Sequence, residues 1–244
     1  MLECSERLNC TNKIQHPHLL KIVDKNLGWH WFVTEYQAGG TLEHHIEKYR
    51  GNLLAALTAI RPIAEAVSKM HEAGTVHRDI KPGNIFIGSA GELILGDAGL
   101  VFFVDDKESR LTSIYESIGT DDYMPEWVRE PPLKTVPMSM DVFALDKVIW
   151  AMVAGRPTCR LWHVTKPQNE LETMFPDDPS IRWARFILDR TVVEEESDCI
   201  DHAGHLLVVI DKAIQIISRG GNYWIRLGHA RAGSVGRALS VPWS

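Results

Sequence analysis

The sequence predicts an α+β fold, with short strands confined to the first hundred residues and a back half built of helices. Three observations carry this. Apolar residues recur at helical spacing from Asn52 to Gly74, short β-prone pieces flank that stretch, and three further apolar or amphipathic segments follow Ser139. The 244 residues are 45% hydrophobic and 24% charged, enough to bury a sizeable core without disulfide or metal staples. Disordered, collagen-like and small secreted classes are excluded.

The elements follow in chain order. Leu19–Val23 and Trp29–Thr34 read as two β-type stretches joined by Asp24-Lys-Asn-Leu-Gly28, whose Asn and Gly suit a hairpin. After the breaker cluster Gln37-Ala-Gly-Gly40, Thr41 reads as the N-cap of a short helix bearing Glu43 and Glu47. From Asn52 a long helix places Leu53, Leu54, Leu57, Ile60, Ile63, Ala64, Val67 and Met70 on one buried stripe, and Gly74 stops it. Asn84–Ile87 and Glu92–Leu95 form a second hairpin around a polar loop. Helices are expected at Ser139–Val153, Ile181–Leu188 and Ala203–Ile217. Residues 219–244 hold four arginines, several glycines and no acid, the composition of a disordered basic tail.

With 26 Lys and Arg against 32 Asp and Glu, the formal net charge is −6, which offers no field to attract nucleic acid or an anionic membrane. No apolar run reaches the roughly 18–20 residues that span a bilayer, and the acidic start is unlike a signal peptide, so no membrane partner and a cytoplasmic location are expected. Cys4, Cys10, Cys159 and Cys199 show no zinc or disulfide spacing and read as reduced thiols. His44-His45 and His202-x-x-His205 lack a third His or a Cys nearby and read as solvated surface histidines, not metal ligands.

The chemistry lies in His77-Arg-Asp-Ile-Lys-Pro-Gly-Asn84, thirteen residues ahead of Asp97-Ala-Gly99 when counted from Asn84. Phosphoryl transfer needs a carboxylate to take the attacking hydroxyl's proton, and oxygen ligands to hold Mg²⁺ on the phosphates. Asp79 suits the first role. Asn84 and Asp97, on neighbouring strands, suit the second, and Lys81 can neutralise the moving phosphoryl group. Taken alone, Asp79 could be a turn residue and Asn84 a strand cap; their flanking residues argue against it.

This stretch resembles the catalytic loop of eukaryotic-type protein kinases, in which His-Arg-Asp is followed five residues after the Asp by Asn. Further pieces fall in the family's order: Glu35-Tyr-Gln37 with Gly39-Gly40 as the hinge, Gly119-Thr120 through Met124-Pro-Glu126 as the end of the activation segment, and Asp141-Val-Phe-Ala-Leu145 opening the central helix. The resemblance implies a protein-kinase-like fold with a largely α-helical C-terminal lobe over 37–218 and a remnant of the β-rich N-terminal lobe and hinge over 1–36. It implies ATP and Mg²⁺ as cofactors, and a protein substrate. Asp79 and Lys81 would be catalytic; Glu35, Gln37, Lys81, Asn84, Phe86 and Asp97 would bind nucleotide, with Asn84 and Asp97 on the metal. Thr34 would be the gatekeeper, Glu35 and Gln37 would offer backbone groups to the adenine, and Phe86 would be its floor or equally a core residue. Asp141 would accept hydrogen bonds from the catalytic-loop backbone. Lys81 and Thr120 resemble the serine/threonine branch, and Arg78 would pair with an activation segment phosphorylated at Thr112 or Ser113.

Several features depart from the family. Neither Gly-x-Gly-x-x-Gly nor Val-Ala-x-Lys occurs, and the short stretch before His16-Pro17 cannot supply three strands, so upstream residues are expected to be missing from the start. Glu3 or Glu6 would be the remnant of the helix glutamate, with spacing that fits neither. The first hairpin would then present an unpaired edge to water. Ala98 replaces the phenylalanine of Asp-Phe-Gly. Glu126 lacks its usual arginine and must find Arg185, Arg190 or solvent, at a cost of several kcal/mol if buried unpaired. The leading expectation is a serine/threonine protein kinase, perturbed by these losses. A pseudokinase acting as a regulatory binding module is the alternative, and a small-molecule phosphotransferase of related fold comes third. Nothing in the pattern fixes an oligomeric state.

Overall fold

The structure is a computed structural model that describes residues 14–26, 31–96, 121–128, 137–157 and 167–220. The expected remnant before residue 14 and the basic tail beyond 220 lie outside these residues. Strands β1 (Ile22–Asn26) and β2 (Trp31–Thr34) pair antiparallel, with Ile22 opposite Thr34 and Asn26 opposite Trp31, and a bulge between Ile22 and Asp24. The first strand thus begins three residues later than the sequence suggested. Leu19 and Leu20 are drawn away from it: Leu19 bridges Leu95, and Leu20 N–H donates to Leu95 O (2.8 Å). Packing Leu19 half-buried against the core, with Leu20 beside Gly96, outweighs continuing the hairpin.

Leu42–Tyr49 winds as a 3-10 helix. Thr41 precedes it but makes no side-chain cap; its Oγ1 lies 3.0 Å from His44 Nδ1 instead. Helix α1 (Leu53–Glu72) has the predicted ends. Asn52 accepts from Ala55 N–H (3.0 Å), and at the C-terminus Gly74, at φ 72°, lets Thr75 N–H return to Met70 O (2.9 Å). Strands β3 (Ile85–Ile87) and β4 (Leu93–Leu95) form the second antiparallel hairpin.

The remaining elements are α2 (Ser139–Ala154), the single turn α3 (Leu171–Met174), α4 (Arg182–Leu188) and α5 (Ala203–Ser218). Every residue of α2 is buried. A helix apolar on all sides has to be packed on all sides, and α1, α3, α4, α5 and the 3-10 helix surround it. Each fully buried large apolar side chain such as Phe143, Leu145 or Val148 contributes about 1.5–3 kcal/mol. Helix α5 runs along α1, where Arg61 grips Asp211 through Nε (2.6 Å) and Nη2 (3.1 Å). This core is the platform on which the loop between α1 and β3 rests.

Candidate active site

The loop from Thr75 to Asn84 is fixed from beneath by Asp141, in the first turn of α2. Its fully buried carboxylate accepts from three donors: His77 N–H to Oδ2 (2.7 Å), Arg78 N–H to Oδ1 (2.8 Å) and His71 Nε2–H to Oδ2 (3.0 Å). Those bonds offset the cost of taking the charge out of water. On its other side, His71 Nδ1 accepts Ala203 N–H at the start of α5 (3.0 Å), which fixes the Nε2–H tautomer. One buried imidazole therefore links α1, α2 and α5. The His77 ring, also fully buried, donates from Nε2 to Gly96 O (2.9 Å) and ties the loop to the residue before Asp97. Arg78 takes φ 74°, alone among the described non-glycine residues in that left-handed region, a strain sustained by the surrounding bonds.

Asp79, Lys81 and Asn84 converge on this loop. Lys81 Nζ lies 3.0 Å from Asp79 Oδ2, and Asn84 Nδ2 donates to both Asp79 O (2.8 Å) and Asp79 Oδ2 (2.7 Å). Because both amide hydrogens of Asn84 are used this way, the group it can offer a cation is Oδ1, the hard oxygen that Mg²⁺ prefers. The Asp79 carboxylate keeps 29% of its side chain accessible, so a substrate hydroxyl can reach it. Asp97 and Ala98 lie outside the described residues, as do Thr112, Ser113 and Thr120. The chain reaches Asp97 from Gly96, whose N–H donates to Asn84 O (2.8 Å).

The segment after β2 has a simple polarity. Glu35 N–H is committed to Lys21 O (3.3 Å) and Gln37 O to Gly40 N–H (3.2 Å). What these residues can offer a base is an acceptor, Glu35 C=O, and two residues on a donor, Gln37 N–H. Thr34 is half-buried at the end of β2. Phe86 is also half-buried, and a Cβ on Gly96 would collide with its ring, so the ring covers the residue that precedes Asp97. A cavity of about 220 Å³ lies elsewhere, between Trp150, Leu171 and Leu188, and touches none of these groups.

Residues 4–206 match the family described as protein kinase domain. The chain belongs to that family. A probable serine/threonine-protein kinase of Corynebacterium efficiens is 38% identical over 103 residues, 42% of this chain and 15% of that protein. Aurora/IPL1-related protein kinase 2 of Caenorhabditis elegans is 29% identical over 231 residues, 92% of this chain and 68% of that protein. Mouse mitogen-activated protein kinase kinase kinase 4 is 28% identical over 227 residues, 80% of this chain and 14% of that protein. The chain spans less than a fifth of the bacterial relatives it matches.

Within this kinase domain, Glu126 takes the solvent alternative that the sequence left open. Glu126 is exposed, so it does not incur the cost of a buried carboxylate; Arg185 lies 3.6 Å from Asp189, and Arg190 donates to Phe186 O (2.9 Å). The buried carboxylate is instead Asp146, within α2, where burial raises the pKa to about 7, the Thr191 hydroxyl pulling the other way. Spacing gave no warning, since Asp146 stands next to Lys147 as an acid–base pair set into the apolar run of α2. His71 was missed too: its partners lie 70 and 132 residues away in sequence. Cys199 is a free thiol, pushed up to about 12 by burial first and Asp146 second, which leaves it inert.

Proposed function

We propose that this chain transfers the γ-phosphoryl group of ATP to serine or threonine hydroxyls of a protein substrate, with Mg²⁺ as the companion ion. The observation that supports this most is the convergence of Lys81 and Asn84 on the Asp79 carboxylate, on a loop whose backbone Asp141 holds. ATP and Mg²⁺ supply, when bound, the electrophilic phosphorus and the charge that polarises it. Asp79 orients the incoming hydroxyl and takes its proton on a carboxylate oxygen. Lys81 Nζ neutralises charge that develops beside Asp79. Asn84 Oδ1 and the Asp97 carboxylate would hold the ion; Glu35 C=O, Gln37 N–H and the Phe86 ring would hold the base. The serine/threonine preference rests on Lys81 two residues after Asp79 and on Thr120. A cytoplasmic location fits the use of ATP.

The second reading, a regulatory pseudokinase, draws on Ala98 and on the lack of a Gly-rich loop and of Val-Ala-x-Lys within the 244 residues. Transfer of radiolabelled phosphate from ATP to a generic protein substrate separates the two. For the enzyme, Asp79→Asn lowers the rate by roughly 10²–10⁴-fold while nucleotide binding persists. Equal background transfer by both proteins would sink the kinase reading and favour the binding module.

A further inference from the structure

Asp201, His202 and His205 gather at the start of α5, away from the residues discussed so far as catalytic. His202 immediately precedes the helix, and its Nδ1 accepts Gly204 N–H (3.0 Å). His205 lies three residues on, so the two rings face each other with centroids 4.0 Å apart and planes tilted by 35°. Asp201 sits four residues before His205, with Oδ1 2.6 Å from its Nδ1. One ligand atom from each of the three lies within 4.8 Å of the other two. The sequence spacing offered two imidazoles and no third ligand; the fold supplies the third as the carboxylate.

We propose that Asp201, His202 and His205 bind a divalent transition-metal ion of the zinc class, with water completing the coordination. Two imidazole nitrogens and one carboxylate oxygen suit Zn²⁺ and its neighbours, and fail Mg²⁺ and Ca²⁺, which take oxygen ligands. Bonds of about 2.0–2.1 Å put tetrahedral ligands roughly 3.3 Å apart, so on loading the Asp201–His205 pair opens from its 2.6 Å contact and His202 turns toward the ion through χ rotation. That turn exchanges the Gly204 cap on His202 for a metal bond. The helix N-terminus opposes a cation; the Asp201 carboxylate in the ligand set and Glu72, whose charge acts on His202, offset it. Between the ligands sits Ala203, whose N–H is the one held by His71 and through it by Asp141. An ion here clamps the end of α5 that braces the loop carrying Asp79. The binding claim stands on this geometry and does not depend on the proposed transfer activity.

The test uses the full chain, stripped with EDTA and dialysed, then titrated with ZnCl₂ alone by calorimetry and with CoCl₂ by visible absorption. One ion per chain is expected to bind with micromolar or tighter affinity in the presence of excess Mg²⁺. His205→Gln, which leaves the Gly204 cap in place, abolishes it, and Asp201→Asn weakens it by roughly tenfold or more. Zn²⁺ at about a hundred times its dissociation constant raises Tm by roughly 5–10 °C, a shift absent in His205→Gln. Affinity no better than millimolar overturns the proposal. So does binding that His205→Gln leaves unchanged, including binding that disappears instead in a His44→Gln/His45→Gln protein. Circular dichroism checks that the variants fold, and Asp201→Asn, on an exposed side chain, keeps the comparison readable if one histidine variant does not.

Discussion

Asp146 is fully buried in α2, and among the described residues neither carboxylate oxygen has a hydrogen-bond partner. The Thr191 hydroxyl stands close by but donates to Ile187 O (3.1 Å). The carboxyl pKa rises from 3.8 to about 7 on folding. Between those values the native state keeps a proton that the unfolded chain has released, so stability falls as pH climbs from about 4 to about 7 and levels off above. Asp146→Asn removes this slope. Urea unfolding should find the variant close to wild type only below about pH 4, with its advantage widening through pH 5 and 6 to a few kcal/mol at pH 8, on the order that such a shift implies. Asp141 behaves oppositely, because its three donors depend on it. Asp141→Ala leaves them buried without an acceptor and is expected to lower stability by roughly 3–5 kcal/mol in the same assay. Sequence alone located Asp141 through its motif context. It could not distinguish the supported carboxylate from the unsupported one five residues later, because what differs is the partners other elements bring.

Among the elements, α1 was legible nearly to the residue because three independent signals agree: an Asn cap, an apolar stripe at three- and four-residue steps, and a glycine stop. Its one internal conflict is Pro62, which has no N–H for Thr58 O and crowds that carbonyl. Pro62→Ala restores the bond at a half-buried position, and the urea midpoint should rise by the equivalent of about 1–2 kcal/mol, the loss of proline's stiffening in the unfolded chain taking back part of the gain. The start of β1 was misplaced because Leu19 and Leu20 carry the same local pattern whether they pair with β2 or with β4. Short α3 was missed since four residues make one turn, too few for a periodicity.

Over the whole molecule, the helical core and the first hairpin differ in support. Helix α2 has no solvent-facing residue, whereas Val23 (50%), Trp31 (43%) and Val33 (47%) are exposed on the β1–β2 hairpin. A two-stranded sheet with apolar residues in water has little beyond its own ladder to hold it. Amide hydrogen exchange should therefore show Lys25 and Phe32 opening locally at low cost, and Val148 and Trp150 exchanging only with global unfolding. Equal protection in both regions would contradict this division. At this scale the sequence revealed the order of elements and the family resemblance, since both are written in local runs. The convergence of α1, α2 and α5 on His71 was invisible in it, being a property of side chains that meet only after the chain has collapsed.

The polarity of the backbone at Glu35 and Gln37 has a last consequence. An acceptor followed by a donor matches a purine edge that presents an amine beside a bare ring nitrogen, as adenine does. Guanine shows the reverse arrangement, an oxygen beside a protonated nitrogen, and would set like against like at both positions. If the base sits here as proposed above, discrimination between the two nucleoside triphosphates would come from peptide groups alone, and side-chain replacements at 35 and 37 should leave a preference for ATP over GTP intact.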